Sequence, residues 1–222
     1  MKRRGFFLVV EGADASGKTT LARRLADAYR RQGRIVTSVR EPGGTRLSES
    51  VRRILLDPAA SMNPRSELFL YLAARAQLVE DVIAPALDRG EIVIADRFSL
   101  STLAYQVGGR GLPVRAVISA DRLARFGLDP DLTLLLVVTE AQSRARRQRD
   151  PHTPDRIERE SATFFRAVRA EYLKMSRRIP GMIVIDSSMG ADAVYVRAKE
   201  HIDRRLKRRR RFVPLCTPKT TT

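Results

Sequence analysis

A chain of 222 residues that is 43% hydrophobic and 30% charged is long enough for one well-cored domain and too apolar to be intrinsically disordered. Its single cysteine, Cys216, excludes an intrachain disulfide and fits a reducing, cytoplasmic setting. The net charge is +17, and removing the seven basic residues of 204–211 still leaves about +10, so an anionic partner is expected for the folded part itself.

The basic start followed by an apolar run ends at Glu11 after five apolar residues, short of the roughly 7–15 of a signal peptide. No other run approaches the roughly 20 apolar residues of a membrane span. A soluble, unexported protein is expected.

Residues 6–11, rich in aromatic and β-branched side chains, read as a buried strand. A glycine-containing turn over 12–20 follows. Leu21, Leu25 and Ala28 then recur at helical spacing, with Gly33 as the stop. Residues 34–40 read as a second strand, ended by Glu41-Pro42-Gly43-Gly44, and a helix runs through Leu56. Asn63-Pro64 is an N-cap with proline at the first helical position, opening a helical segment to about Asp88. The third, fourth and fifth strands fall at 92–95, 132–138 and 182–186, and the final helix starts near Asp192. Strands alternating with helices imply a parallel sheet in a three-layer α/β fold, with ligands beyond the carboxyl ends of the strands. One domain is expected over 1–203, followed by a basic, disordered tail over 204–222.

Gly12-Ala13-Asp14-Ala15-Ser16-Gly17-Lys18-Thr19 fits G-x-x-x-x-G-K-[ST] between a strand and a helix. In that setting the backbone N–H groups from Gly12 to Thr20 surround the phosphates of a nucleoside triphosphate. Lys18 reaches the β- and γ-phosphates, and the Thr19 hydroxyl holds Mg²⁺. Ala15 occupies a loop position where glycine is common, and its Cβ resists positive φ.

Four further motifs follow in order: Arg40-Glu41-Pro42-Gly43-Gly44-Thr45, Tyr71 through Arg75 to Gln77, Asp96-Arg97 through Ser101 and Tyr105 to Gln106, and Asp155-Arg156-Ile157-Glu158. With these, roughly residues 5–203 resemble the thymidylate kinase family. The resemblance implies a P-loop kinase fold, ATP and Mg²⁺ as cofactors, and transfer of phosphate from ATP to dTMP. It places Asp96 near the metal, Arg97 on the acceptor phosphate, and Asp14 on the acceptor's sugar or the neighbouring arginine. Tyr71 would stack on the base, Arg75 would hydrogen-bond it, and Ser101, Tyr105 and Gln106 would line the same pocket. Tyr71 and Arg75, four apart, share a helix face.

The arginine-dense stretch resembles the family's lid, about 143–156. With Ala15 and Ser16 in the loop, this chain is similar to the bacterial type that supplies a catalytic arginine from the lid, here Arg144, Arg146 or Arg149. The resemblance also implies a homodimer. A related acceptor such as dUMP, a 5-modified pyrimidine nucleotide or an unphosphorylated nucleoside stays open. So does a scaffold that binds nucleic acid through its basic tail.

Overall fold

The computed structural model describes residues 5–148, 153–179 and 181–211, the side chains of 147, 148 and 209–211 excepted. Five strands, β1 (Phe6–Gly12), β2 (Val36–Arg40), β3 (Ile92–Asp96), β4 (Leu132–Val137) and β5 (Ile183–Asp186), form one parallel sheet in the order β2-β3-β1-β4-β5. β1 is central and buried from end to end. The five expected strands are all present, within two residues at each end.

Alternation along the strands builds the two faces. Leu8, Val10, Ile94 and Leu134 pack against Leu21, Leu25 and Tyr29 of α1 (Lys18–Arg31) and against Val194, Ala198 and Ile202 of α9 (Ala191–Arg211). On the other face Phe7, Val9 and Val93 meet Leu78, Ile83 and Leu87, from the segment that follows α2 (Arg46–Leu56). These are the three expected layers. Among the described residues no helix is long and apolar enough to cross a membrane.

The segment expected to run from Asn63 to about Asp88 begins at its cap: the Asn63 side chain accepts from the N–H of Arg65 and Ser66 at 3.0 Å. It consists of α3 (Pro64–Leu78), a π-helical turn (Val79–Ile83) and α4 (Ala84–Asp88). Pro85 explains the turn, because its missing N–H interrupts the regular ladder. A second π-helical turn, Leu103–Gly109, follows α5 (Ser99–Thr102). It lies so close to α8 (Ala162–Ser176) that a Cβ on Gly109 would collide with the Phe164 ring. The remaining helices are α6 (Val114–Ala124) and α7 (Glu140–Gln148).

One boundary is corrected. Residues 204–211, expected to belong to a disordered tail, continue α9. Lysine and arginine are good helix formers and suit a helix C-terminus, Leu206 still packs on the core, and Lys199–Asp203 and Arg204–Glu200 pair one turn apart. The rest of that tail, 212–222, lies outside the described residues.

Candidate active site

The register brings the working ends of the central strands together: Val10 pairs with Asp96, Arg40 with Asp96, and Gly12 with Leu136. From the end of β1 the chain turns through Gly12–Gly17 into α1. Gly17 caps the helix at φ 90°, and α1 has neither a side-chain cap nor an acid in its first turn. Its leading amides are therefore left to an anionic ligand.

Four of the loop's carbonyls are occupied by side chains from other elements. Arg97 donates to Gly12 O at 3.2 Å, Ser143 to Asp14 O at 3.0 Å, Arg146 to Ala15 O at 3.1 Å and Ser187 to Ser16 O at 2.6 Å. Holding these carbonyls fixes the shape of the loop, which Ser16 N–H closes on Ala13 O at 3.2 Å. Ala15 takes the left-handed conformation at φ 58°, as its position in the motif demands despite its Cβ.

Lys18 is buried and leans on Ala13 O at 3.4 Å and Asp14 Oδ1 at 3.5 Å. Burial, followed by the nearby Arg97 charge, pushes its pKa down. Thr19 Oγ1 donates to Asp96 Oδ2 at 2.5 Å, whereas Asp96 Oδ1 is buried without a hydrogen-bond partner. A hydroxyl beside a carboxylate with an unused oxygen is an oxygen-only donor set that fits a hard cation such as Mg²⁺. Among the described residues no cluster of three His, Cys, Asp or Glu exists, so the remaining ligands of such an ion would be phosphate and water.

Arg97 follows Asp96 in the left-handed region, at φ 74°. Its guanidinium is ion-paired with Asp14 Oδ1 and also donates to Ser101 Oγ at 3.1 Å and to the Tyr105 and Tyr172 hydroxyls at 3.3 Å. Tyr105 donates to Asp14 Oδ2 at 3.0 Å. Burial pushes the Asp14 carboxyl up, but Arg97, Lys18 and the Tyr105 hydroxyl outweigh it and hold the pKa at about 2. Asp14 is therefore a permanent carboxylate that draws Lys18 and Arg97 together on its Oδ1.

These groups share one cavity of about 270 Å³ with Tyr71, Arg75, Ser101, Tyr105 and Gln106, so all the expected acceptor-site residues line a single space. Two are more constrained than their spacing suggests. Arg75, 2% exposed, gives Nε to Glu41 Oε2 at 2.8 Å and Nη1 to Thr102 at 2.7 Å and Asp121 at 2.5 Å, and it pairs with Glu41 through Nη2. Four of its five N–H groups are committed, which leaves one for a ligand. Gln106 donates to Glu67 Oε1 at 3.0 Å, and Glu67 also pairs with Arg110 at 2.9 Å and Arg156 at 2.7 Å.

Of the expected lid arginines, Arg144 is exposed and pairs with Glu140 of its own helix at 3.4 Å. Arg146 is half-buried and grips Ala15 O and Ser187, its Nη2 2.6 Å from Ser187 O, on the outer side of the loop. Arg149 lies outside the described residues, as does His152.

Glu41, Glu67, Asp121, Ser143, Ser187 and the part played by Glu11 had not been singled out from the sequence, nor had Arg52, which lines the same cavity and donates to Pro42 O at 3.0 Å. Glu41 alone had a local signal, inside the Arg40–Thr45 motif. Glu11, fully buried, accepts from Phe98 N at 2.8 Å, Ser101 N at 3.1 Å and Ser101 Oγ at 2.6 Å.

Comparison with known proteins leads to the same chemistry. The family model described as thymidylate kinase matches residues 10–196. A thymidylate kinase of Desulforudis audaxviator is 44% identical over 203 residues, covering 88% of this chain and 90% of that one. One from Pelotomaculum thermopropionicum is 42% identical over 210 residues, covering 92% and 97%. The crystal structure of thymidylate kinase from Ehrlichia chaffeensis superposes with a TM-score of 0.72 at 29% identity, over 89% of this chain and 98% of that one. A phosphate loop facing an acceptor pocket on a five-stranded parallel sheet, together with this degree of likeness across nearly the whole length, makes the chain a member of the thymidylate kinase family.

Proposed function

We propose that the protein moves the γ-phosphoryl group of ATP onto dTMP, giving dTDP. The observation that carries this reading is the shared cavity in which Lys18 of the phosphate loop and Arg97 of the acceptor side lean on one carboxylate, Asp14. Two polyanions meet end to end only where cations face each other across such a gap.

In this reading the loop amides and Lys18 take the donor phosphates, and the Arg97 fork turns from Asp14 to the acceptor phosphate. Thr19 and Asp96 hold Mg²⁺, which neutralises charge on the transferring group. Tyr71 offers a flat face to the base, and the last N–H of Arg75 offers a donor held rigid by Glu41 and Asp121. Tyr105, locked by its bond to Asp14, lies against the sugar. Arg146 steadies the donor loop from outside, and the arginine that reaches the phosphates falls to Arg144 or Arg149.

Homodimerisation through α2, α3 and α6 is supported by the exposed Ile54, Phe69 and Ile118. A cytoplasmic setting is consistent with the single cysteine.

Recognition of the thymine methyl rests on one apolar contact, worth about 1–3 kcal/mol, so dUMP is expected to be a poorer acceptor by roughly 10–200-fold. A coupled assay with dTMP, dUMP and thymidine as acceptors tests the reading. The expected order is dTMP above dUMP, with thymidine inactive because nothing engages Arg97. Efficient phosphorylation of thymidine would overturn it.

A further inference from the structure

Glu11 is a carboxylate with zero exposure, at the end of the central strand, and among the described residues it has no direct ion pair. A charge in such a place is costly unless its hydrogen bonds are complete. Oε1 accepts the N–H groups of Phe98 and Ser101, and Oε2 accepts the Ser101 hydroxyl at 2.6 Å and lies 3.3 Å from the Tyr172 hydroxyl.

The direction of each bond follows from the chemistry of the partners. An arginine only donates. Ser101 Oγ and Tyr172 OH, which both take Arg97 Nη1, must therefore offer it lone pairs. The single proton of Ser101 goes to Glu11. That of Tyr172 goes to Glu11 or to Ser101 Oγ, 2.9 Å away. The carboxylate thus fixes both hydroxyls with their lone pairs toward the guanidinium. Oε1 also clamps the backbone just after Arg97, whose φ of 74° is unfavourable for a residue with a Cβ. Burial holds the Glu11 pKa above the usual carboxylate value, against the pull of Ser101, Arg97 and the two amides.

We propose that Glu11 is a positioning residue for acceptor binding: through Ser101 and Tyr172 it orients the Arg97 guanidinium toward the acceptor phosphate. This rests on Arg97 as the acceptor-phosphate ligand. In Glu11→Gln the amide oxygen keeps the two backbone N–H groups, and the NH₂ then faces the hydroxyls as a donor. Ser101 and Tyr172 then accept from it, their own protons lose the carboxylate acceptor, and nothing any longer enforces lone pairs toward Arg97.

The test is a double-mutant cycle of Glu11→Gln and Arg97→Ala, with KM for dTMP, KM for ATP, kcat and thermal midpoint measured for each protein. Glu11→Gln is expected to raise KM for dTMP about tenfold, as befits loss of hydrogen bonds to a charged group, while KM for ATP stays within about twofold. In the Arg97→Ala background Glu11→Gln is expected to change acceptor kinetics no further, because the group it positions is gone. Equal effects on both substrates, or a full multiplicative loss in that background, would overturn the proposal while leaving the acceptor role of Arg97 intact. An Arg97→Ala variant with normal dTMP kinetics would instead overturn that role, and the proposal with it. Should Glu11→Gln fail to fold, Tyr172→Phe removes one hydroxyl of the same chain. It is expected to raise KM for dTMP about threefold, in the wild-type background only.

Discussion

Ala15 carries the clearest local conflict in the molecule, a methyl-bearing residue in the left-handed conformation at the crown of the phosphate loop. Such a position costs about 1–2 kcal/mol for an alanine, and the greater freedom of glycine in the unfolded chain returns part of that. Ala15→Gly is expected to raise stability by up to about 1 kcal/mol, read as a higher thermal midpoint with turnover retained. A lower midpoint would mean that the Cβ contributes packing that outweighs its strain. At this scale the motif residues were legible, because phosphate chemistry constrains both their types and their spacing. Glu11 was not, because it simply ends an apolar run, and its partners lie 87, 90 and 161 residues further on. Arg75 was half legible: helical spacing put it beside Tyr71, but only tertiary structure brings Glu41 and Asp121 to its guanidinium.

Among the elements, α7 departs most from expectation. The arginine-dense stretch suggested cations reaching toward phosphates, yet Arg146 and Ser143 turn to the outer carbonyls of the loop. The sequence shows a charged helix and cannot say which turn faces the loop, since that depends on how β4 delivers the helix. Arg146→Ala is therefore expected to weaken ATP binding, raising KM for ATP about tenfold through the loss of charge-assisted bonds to the loop and Ser187. Arg144→Ala, which breaks an exposed pair with Glu140, is expected to leave KM for ATP within about twofold, so that any loss it causes as a phosphate-reaching arginine falls on kcat. Steady-state kinetics with ATP varied checks both, and the reverse order would contradict the docking role of α7. The strands were easier to read, because buried parallel strands form continuous apolar runs. The π-helical turns have no such signature, although Pro85 marks one of them in hindsight.

For the molecule as a whole, order along the chain becomes order in space through one feature, the parallel register that ends β1, β2 and β3 at a common edge. The donor loop leaves β1, Glu41 follows β2, and Asp96 and Arg97 end β3, so groups from three crossovers converge without any one helix holding them. That convergence could be anticipated from alternating strands and helices. The extension of α9 to Arg211 could not, because a dense basic run reads equally well as a solvated coil. The strong positive charge agrees with a site that gathers two nucleotides, and it is expected to speed their capture at low salt.

The geometry requires that phosphate pass directly from a nucleotide on the loop to one held by Arg97. A single-turnover reaction with γ-labelled ATP, Mg²⁺ and dTMP tests it most directly. The label is expected in dTDP, and Lys18→Ala is expected to slow its appearance by at least about a hundredfold, a loss of roughly 3 kcal/mol of transition-state stabilisation. Label released as inorganic phosphate, or transferred equally fast by Lys18→Ala, would contradict it.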